Sequence, residues 1–593
     1  MGMSGQAAAL LGVECSVTGM RWRDRVVDHR SAIAISQRLA VSEVVGRLLA
    51  ARGVGAESAE RFLDPKLREL MPDPSSLMDM DRAAARVARA IFKGEQIAVF
   101  GDYDVDGATA SALLRSYLSK LGVNIEVYIP DRIREGYGPT AKAFESLREN
   151  GAEVVVTVDC GTTAHDALGR AEDIGLDVII LDHHMAGPAL PRCVALVNPN
   201  RLDDDSGQGS LAAVGVTYLL IVALNRSLRE ADFFTNKAEP NLVALLDLVA
   251  LGTVCDVVPL TGLNRALVRQ GLKVLARRDN RGLAALADVA AVDGYPDCYH
   301  LGFVLGPRIN AGGRVGESGL GHRLLTTNDP LEAARLATRL NDLNLERRAI
   351  ESLNVEQAFL QVQSEGELGP AIVVQDQHWH VGVIGLVASR LTERYKRPAF
   401  VVAFDGNIGK GSARSIPNID VGAMITAAHQ AGLLMAGGGH SMAGGFTIQH
   451  EKFDDFRNFI EKRAVKLGCL TAAPSLGVDC VLALSAAQID LVEKFEQVGP
   501  YGPGNPMPRF AFAGVKVVRV DTVGDGGHVR CIFAGEGGSR LKGISFRSAD
   551  QPLGHALLNA KNLHVAGSLR ANNWRGRHEV QLFIDDVAYP EDC

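Results

Sequence analysis

The segment Gln96 to Gly107, QIAVFGDYDVDG, carries an apolar run into three aspartates, Asp102, Asp104 and Asp106, at alternate positions. Alternate residues of an extended chain share a face, so this run aims several carboxylates into one small space. Like charges that close repel strongly unless a cation sits among them. Oxygen-rich clusters suit hard divalent ions such as Mg²⁺ or Mn²⁺, and the segment reads as a metal site at the C-terminal end of a strand. A polar turn with a capping Asp is the plainer alternative, but three strictly alternating Asp before a Gly exceed what a turn needs.

Two further segments share this design. EVVVTV (Glu153 to Val158) ends in Asp159, Cys160 and Gly161, and DVIIL (Asp177 to Leu181) ends in Asp182, His183 and His184. Helical patterns lie between these strands, over Thr109 to Leu121, Thr140 to Asn150 and His165 to Ile174. Alternating strand and helix predicts a parallel, doubly wound sheet, whose strand ends bring Asp104, Asp106, Asp159 and His183 to one edge. A lone His is more often structural, but two adjacent His after an Asp at a strand end point to a ligand role for at least one.

A fourth carboxylate comes from LVALLDLVALGTVCDVVP, Leu242 to Pro259. Asp247 within it reads as a satisfied core residue or a helix-end cap; Asp256, beyond an expected break at Gly252-Thr253, is better placed to reach a cation. Four Asp and one or two His suffice for two octahedral ions sharing a carboxylate, the arrangement that serves phosphoryl displacement.

GDYDVDG, VDCG, LDHH and ALGTVCDVVPL resemble the four motifs of the DHH phosphoesterase superfamily, named for the Asp-His-His at Asp182 to His184. GPRINAGGR (Gly306 to Arg314), HWHVGVIGLVASR (His378 to Arg390), KGSARSI (Lys410 to Ile416) and GGGHSMAGG (Gly437 to Gly445) resemble the RecJ branch with its accessory DHHA1 domain. Two positions depart from that pattern: Cys160 stands where Asn is common, and Gly444 where Ala is usual. The resemblance, from about residue 45 to the C-terminus, implies a single-strand-specific 5′-to-3′ exodeoxyribonuclease of DNA repair and recombination that uses Mn²⁺ or Mg²⁺ and releases 5′-mononucleotides. It implies that Arg132, Tyr137, Ser412 and Arg414 line the path of the 5′ end, and that Arg308 and Asn310 hold the backbone near the scissile bond. In the two-metal mechanism so implied, Asp104 and Asp106 each favour one ion, Asp159 bridges, His183 and Asp256 complete the second site, and His184 with Arg308 stabilises developing charge. Single-stranded DNA is the expected partner, with a single-strand-binding protein and a helicase as further candidates. A DHH phosphoesterase of short oligonucleotides or cyclic dinucleotides is the alternative, and a non-catalytic DNA-binding scaffold a more distant one.

The chain has 593 residues, too many for one core. Punctuation and motifs suggest an N-terminal helical extension over 1–80, a DHH domain over 81–329, a connecting helix over 330–365, a smaller α/β DHHA1 domain over 366–472 and an all-β barrel over 473–593. Asp329-Pro330 reads as a cap and first helical residue, and Leu331 to Glu365 lacks Gly and Pro, so one helix of about 50 Å or two shorter ones is expected. Three Gly-rich turns in the DHHA1 stretch, near Gly382, over Gly409 to Ser415 and over Gly437 to His440, read as anion loops served by Arg414 and His440.

Net charge is −7, yet Arg509 to His578 carries eleven Lys or Arg against four Asp or Glu. Five short strands there suit an oligonucleotide-binding barrel. Arg530, Arg540, Lys542 and Arg547 would contact phosphates, with Phe533, Phe546 and Trp574 as stacking platforms; a structural barrel with a solvated basic face is the alternative. No run of eighteen uncharged apolar residues spans a membrane, no basic N-terminal start marks a secretory signal, and nine scattered cysteines without C-x-x-C suggest reduced thiols in the cytoplasm. Nothing in the two-lobed plan requires a symmetry partner, so a monomer is expected.

Overall fold

The structure is a computed structural model that describes residues 8–26, 28–132, 135–136, 138–364, 366–468, 474–524, 526–574 and 577–590, the side chains of 573–578 excepted. It divides into two compact units. One takes in the described residues of 72–258 and 267–472; the other takes in those of 1–71, 259–266 and 473–593.

The first unit begins with a five-stranded, wholly parallel sheet. Its spatial order is Glu126–Tyr128, Ile97–Gly101, Val154–Val158, Asp177–Leu181, Ala195–Val197. The three central strands are β-branched and almost wholly buried, as strands covered on both faces must be. Helices Ala141–Glu149 and His165–Asp173 cover the face bearing Ala98, Phe100, Val155 and Ile180. Helix Val105–Lys120 packs with helices Ala213–Glu230 and Leu246–Cys255. Chain order reverses between Ile97–Gly101 and Val154–Val158, and such a switch point leaves a crevice beyond the strand ends. Asp102 and Asp159 follow those two strands.

The expected break at Gly252-Thr253 does not occur: helix Leu246–Cys255 runs straight through it. Glycine is there for close approach, since a Cβ at 252 would lie 2.3 Å from Thr109 Oγ1 and 2.9 Å from Asp106 Oδ1. Asp247 sits in the first turn of that helix and accepts from the Leu248 amide at 2.9 Å, a cap-like local bond.

Asp329 accepts from the Leu331 amide at 2.9 Å, and the following helix is a single 35-residue element, Pro330–Ser364. It leads to a five-stranded sheet ordered Ala436–His440, Ala443–Gln449, Ile408–Arg414, Ala399–Asp405, Ile372–Asp376, in which only the last pair is parallel. Two expected anion loops, Gly409 to Ser415 and Gly437 to His440, are therefore strands. Their glycines serve packing: a Cβ at Gly411 would meet the Phe446 ring at 2.2 Å, and one at Gly437 would meet Ile425 at 2.7 Å. Gly444 belongs to the same set, since an Ala there would collide with Ile425 Cδ1 at 2.4 Å.

In the second unit, strands Phe510–Val523, His528–Ala534, Arg540–Ser545, Asn562–Trp574 and Arg577–Ala588 close into a barrel through pairing of the first with the fourth. Its core of Phe510, Phe512, Phe533 and Leu582 continues into helices His29–Leu39 and Glu43–Ala50 through Ile35, Val45 and Leu48. Phe533 is buried and cannot be the stacking platform expected of it. The N-terminal segment is not purely helical: strand Arg21–Asp24 pairs in parallel with Ser475–Val478. Fully buried Asp479 ties it down, accepting from Arg25 Nη1 at 2.8 Å, Arg52 Nη1 at 3.3 Å and the Arg509 amide at 2.9 Å. Among the described residues, no helix is long and apolar enough to cross a membrane.

Candidate metal centre and phosphate site

Asp104 is the N-cap of helix Val105–Lys120, its Oδ1 accepting from the amides of Asp106 at 2.9 Å and Gly107 at 3.1 Å. A capping Asp is thus present, but it accounts for only one of the three. Asp106 is buried, and its carboxylate accepts from the Ala213 amide at 2.6 Å and the Val214 amide at 3.0 Å, at the positive end of an 18-residue helix. Asp159 is buried in a left-handed conformation with φ of 63°, and Val257, just after Asp256, has the same φ. Left-handed backbone is costly for Val above all, and strain of this kind collects where position matters more than comfort.

These groups converge. His183 Nε2 lies 3.3 Å from Asp159 Oδ1 and 4.0 Å from Asp106 Oδ2, while its Nδ1 lies 3.6 Å from Asp256 Oδ2. Three overlapping sets bring their potential ligand atoms within 4.8 Å: Asp159 with His183 and His184, Asp106 with His183 and Asp256, and Asp102 with Asp104 and Asp159. All five residues expected to bind metal are in this cluster, and Asp102 joins them. Asp102 is the first of the three alternating aspartates of QIAVFGDYDVDG.

The electrostatics are those of an unsatisfied anionic pocket. Burial first, and neighbouring acids second, push Asp106 up to about 7 and Asp256 up to about 9, and raise Asp102 and Asp159 well above the carboxylate range. Burial, reinforced by His184, pushes His183 down to about 4, so it is a neutral imidazole able to donate a lone pair. Asp102 Oδ1, His183 Nε2 and Asp256 Oδ2 are buried without a hydrogen-bond partner. Buried polar atoms are normally paired, and three in one cluster of acids fit hard divalent cations held by carboxylate oxygens and an imidazole.

Asp182 is an anchor for the histidines. It is buried and accepts from the Thr162 amide at 3.0 Å, the His183 amide at 2.8 Å, the His184 amide at 3.2 Å and His184 Nδ1 at 2.7 Å. Burial alone would raise its pKa; the bond from His184 and the other donors outweigh it and hold the carboxylate ionised. In return His184, although burial works against its charge, has its pKa raised by Asp182.

Cations gather beside the cluster. Arg314, on helix Gly306–Val315, donates to the Gly382 carbonyl at 3.1 Å. Burial, then Arg132, Arg347 and Arg414, lower its pKa to about 10, while Asp104 acts the other way. Arg414 is lowered by burial and by Arg132, whose guanidinium stands 5.0 Å from the centre of the Tyr103 ring. Ser412 Oγ accepts from Arg414 Nη1 at 3.2 Å, and both abut Gly385 in the first turn of helix Ile384–Tyr395, where a Cβ would lie 3.0 Å from Arg414 Nη2 and 3.1 Å from Ser412 Oγ. His440, its pKa lowered by burial, also feels Arg414 and His184. Crowded guanidiniums at a helix N-terminus are the kind of arrangement that can receive an anion.

The other expected site residues have their own surroundings. Arg308 donates to Asn341 Oδ1 at 3.1 Å and the Val304 carbonyl at 2.7 Å, and burial and Arg348, not the metal cluster, set its electrostatics. Asn310 is half-buried one turn before Arg314, on the same helix face. In the sequence Arg314 ends the GPRINAGGR motif with nothing to separate its role from that of Arg308. Tyr137 lies outside the described residues, as does the side chain of Trp574. On the barrel, Arg530 pairs with Asp521 at 3.1 Å and Lys542 with Glu579, so both basic groups are already matched.

A switch-point crevice lined by Asp and His, followed by a long helix and a second α/β lobe, defines a DHH-type protein. The DHH family N-terminal domain matches residues 96–253, the DHHA1 domain 368–466 and the RecJ OB domain 478–586. The Dickeya dadantii protein named single-stranded-DNA-specific exonuclease RecJ is 36% identical over 560 residues, which cover 91% of this chain and 95% of that one. Its Bacillus subtilis namesake is 34% identical over 580 residues, 96% of this chain and 71% of that one. A crystal structure of RecJ from Thermus thermophilus in complex with Mn²⁺ matches with a TM-score of 0.81 at 30% identity, covering 97% of this chain and 80% of that one. Its Mg²⁺ complex matches with a TM-score of 0.76 at 29% identity, covering 97% and 79%. The chain belongs to the RecJ family.

Proposed function

We propose that this protein is a metal-dependent exonuclease that degrades single-stranded DNA from the 5′ end and releases 5′-mononucleotides. The observation that carries this reading is the buried Asp–His cluster with its unpartnered donor atoms, set beside an arginine-rich anion site in the same unit. Asp102, Asp104, Asp106, Asp159, His183 and Asp256 would hold two divalent ions, Mn²⁺ or Mg²⁺. Bound there, such ions supply Lewis-acid polarisation of the phosphate and an activated water at neutral pH.

The chain's own groups do the rest. Asp182 fixes the His184 ring through Nδ1 and favours its protonated form, in which the other edge of the imidazole can donate to a phosphate oxygen as charge develops. Arg314 presents a buried guanidinium that donates to a backbone carbonyl through one nitrogen, leaving further N–H groups for a phosphate. Ser412, Arg414, Arg132 and Tyr137 are assigned to the 5′ end, with His440 beside them, Asn310 to the backbone near the cut, and Arg308 to a supporting place behind it. On the barrel Trp574 is assigned to the held strand, while Arg530 and Lys542, already paired with acids, are assigned no phosphate of their own.

The test uses 5′- and 3′-labelled single strands and the corresponding duplex, with Mn²⁺ and with chelator. Mononucleotides should leave the 5′ end of the single strand only, and only with metal. Preferential hydrolysis of dinucleotides or cyclic dinucleotides would replace this reading with the small-substrate one. The proposal extends to a cytoplasmic monomer that works with a single-strand-binding protein and a helicase, which sedimentation and co-purification test.

A further inference from the structure

We infer that Asn198 is a positioning residue for the hydrolysis: it closes a ring of hydrogen bonds that holds His184 at both its carbonyl and its imidazole, and so fixes the direction of the other imidazole edge. The inference deepens the proposed phosphodiester hydrolysis and rests on it.

The strand ends bring this ring together. Leu181 and Val197 are partners in neighbouring parallel strands, and the Asp182 amide donates to the Val197 carbonyl at 3.1 Å, so Asp182 and Asn198 leave the sheet side by side. Thr162 follows strand Val154–Val158, on the other side of Asp177–Leu181. Asn198 is completely buried, and Thr162 and Asp182 nearly so. Asn198 Nδ2 donates to the Thr162 hydroxyl oxygen at 2.9 Å and to the His184 carbonyl at 2.8 Å. The Thr162 amide donates to Asp182 at 3.0 Å, and His184 Nδ1 meets Asp182 at 2.7 Å, which completes the circuit.

The orientation of the Asn198 amide is forced. Its Oδ1 accepts from the Asn200 backbone amide at 2.8 Å, a group that only donates, so Nδ2 must face Thr162 and His184. With one lone pair taken by Asn198, the Thr162 oxygen keeps its own proton for an acceptor, and the Thr162 side chain, like its amide, favours the ionised form of Asp182. The two histidines are tied by different asparagines. Asn200 Nδ2 holds the carbonyl of His183, the candidate metal ligand, at 2.5 Å, whereas Asn198 holds that of His184. The His184 side chain is 47% exposed, and an exposed ring ordinarily loses rotamer freedom when it engages a substrate. Fixing both of its ends beforehand removes that cost from the reaction step. An amide that merely satisfied buried groups would, when altered, cost stability and metal affinity together; a positioning amide costs turnover through His184.

Asn198→Asp keeps the shape but replaces both N–H donors with acceptors, and Thr162→Val removes the hydroxyl while leaving the backbone bond to Asp182. The test measures kcat and KM on a 5′-labelled single strand at saturating Mn²⁺, Mn²⁺ affinity by calorimetry, and thermal melts, for the wild type, both variants, His184→Ala and the two double variants. Asn198→Asp should lower kcat about ten- to hundredfold while KM and Mn²⁺ affinity change less than about threefold, Thr162→Val should lower it less, and neither should slow His184→Ala further. Should Asn198→Asp fail to fold, the Thr162→Val cycle decides alone. The inference is overturned by an unchanged kcat, by loss of kcat and Mn²⁺ affinity together, or by losses that multiply with that of His184→Ala. Single-strand hydrolysis by the wild type with multiplying losses refutes the role of Asn198 alone. A wild type that hydrolyses only dinucleotides or cyclic dinucleotides refutes the single-strand reading, and the same cycle on that substrate still decides the role of Asn198.

Discussion

The strand-end cluster and the barrel face treat charge in opposite ways. At the cluster, carboxylates are buried side by side, and burial and mutual repulsion raise their pKa values. On the barrel, exposed Arg519 and Arg530 share Asp521, and Lys542 pairs with Glu579. Function is therefore better read from where a chain leaves charge uncompensated than from where it has most charge. The C-terminal segment has a net excess of Lys and Arg, yet the buried unpartnered Asp102, His183 and Asp256 atoms lie at the strand ends.

The largest expected effect comes from breaking the uncompensated side. Asp159→Ala should reduce hydrolysis by at least about a thousandfold, since losing a carboxylate shared by two ions costs several kcal/mol of transition-state stabilisation. Without metal its melting temperature should stay unchanged or rise. Asp159 has a raised folded-state pKa, so its contribution to stability is present at low pH and lost as pH rises through that pKa, and the variant gains relative to the wild type as pH rises. A variant keeping more than about a tenth of the wild-type rate would show that Asp159 does not serve both ions.

Arginines offer the next contrast, between one beside the cluster and one turned away from it. Arg314→Ala should lower kcat by about 10²–10³, the usual cost of losing one preorganised donor to developing charge, whereas Arg308→Ala should fall well short of that. Single-turnover rates at saturating Mn²⁺ measure both. The reverse order would return the phosphate contact to Arg308.

Protons and metal compete for the same atoms, which gives a third and smaller effect. In the metal-free protein the pKa of Asp106 is pushed up to about 7 and that of Asp256 up to about 9. Cation binding must displace those protons, so it strengthens as pH rises, and Mn²⁺ should raise the melting temperature more at about pH 9 than at about pH 6. A thermal shift independent of pH would mean that the ions bind elsewhere.

The sequence carried the parallel sheet, the long helix and the barrel because each rests on local periodicity. Strand Asp177–Leu181 was legible to the residue, and helix Val105–Lys120 missed only its first turn, hidden behind the aspartates that form the site. What stayed illegible depends on partners remote in the chain. Gly252 reads as a break until Asp106 and Thr109 are seen against it, and the glycines of Ile408–Arg414 read as loops until the Phe446 ring is seen lying across them. Asp479 carried no signal, since its role is to gather Arg25 and Arg52 from more than four hundred residues away. The site followed the same division. Motif spacing picked out Asp104, Asp106, Asp159, His183 and Asp256, which the fold brings together, but only the three-dimensional arrangement separates Arg314 from Arg308 and shows Asp182 facing the histidines.

The smallest expected effect lies on the compensated side and is where the comparison can fail most simply. If Arg530 or Lys542 neutralised a phosphate, its removal would flatten the salt dependence of single-strand binding by about 0.7 in the log–log slope. Each is already paired with an acid on the barrel surface, and exposed pairs of this kind are worth about 0–1 kcal/mol. To reach a phosphate either cation must leave its carboxylate, which then repels the strand. Arg530→Ala and Lys542→Ala should therefore change the slope by well under that amount and affinity by less than about tenfold. Asp521→Ala should instead tighten binding and steepen the slope, because it frees Arg519 and Arg530 together. Salt titrations of the three variants on one long oligonucleotide decide the matter: if Arg530→Ala flattens the slope by the full amount expected of one phosphate, the ion pairs dissolve on binding and the barrel, too, works by charge.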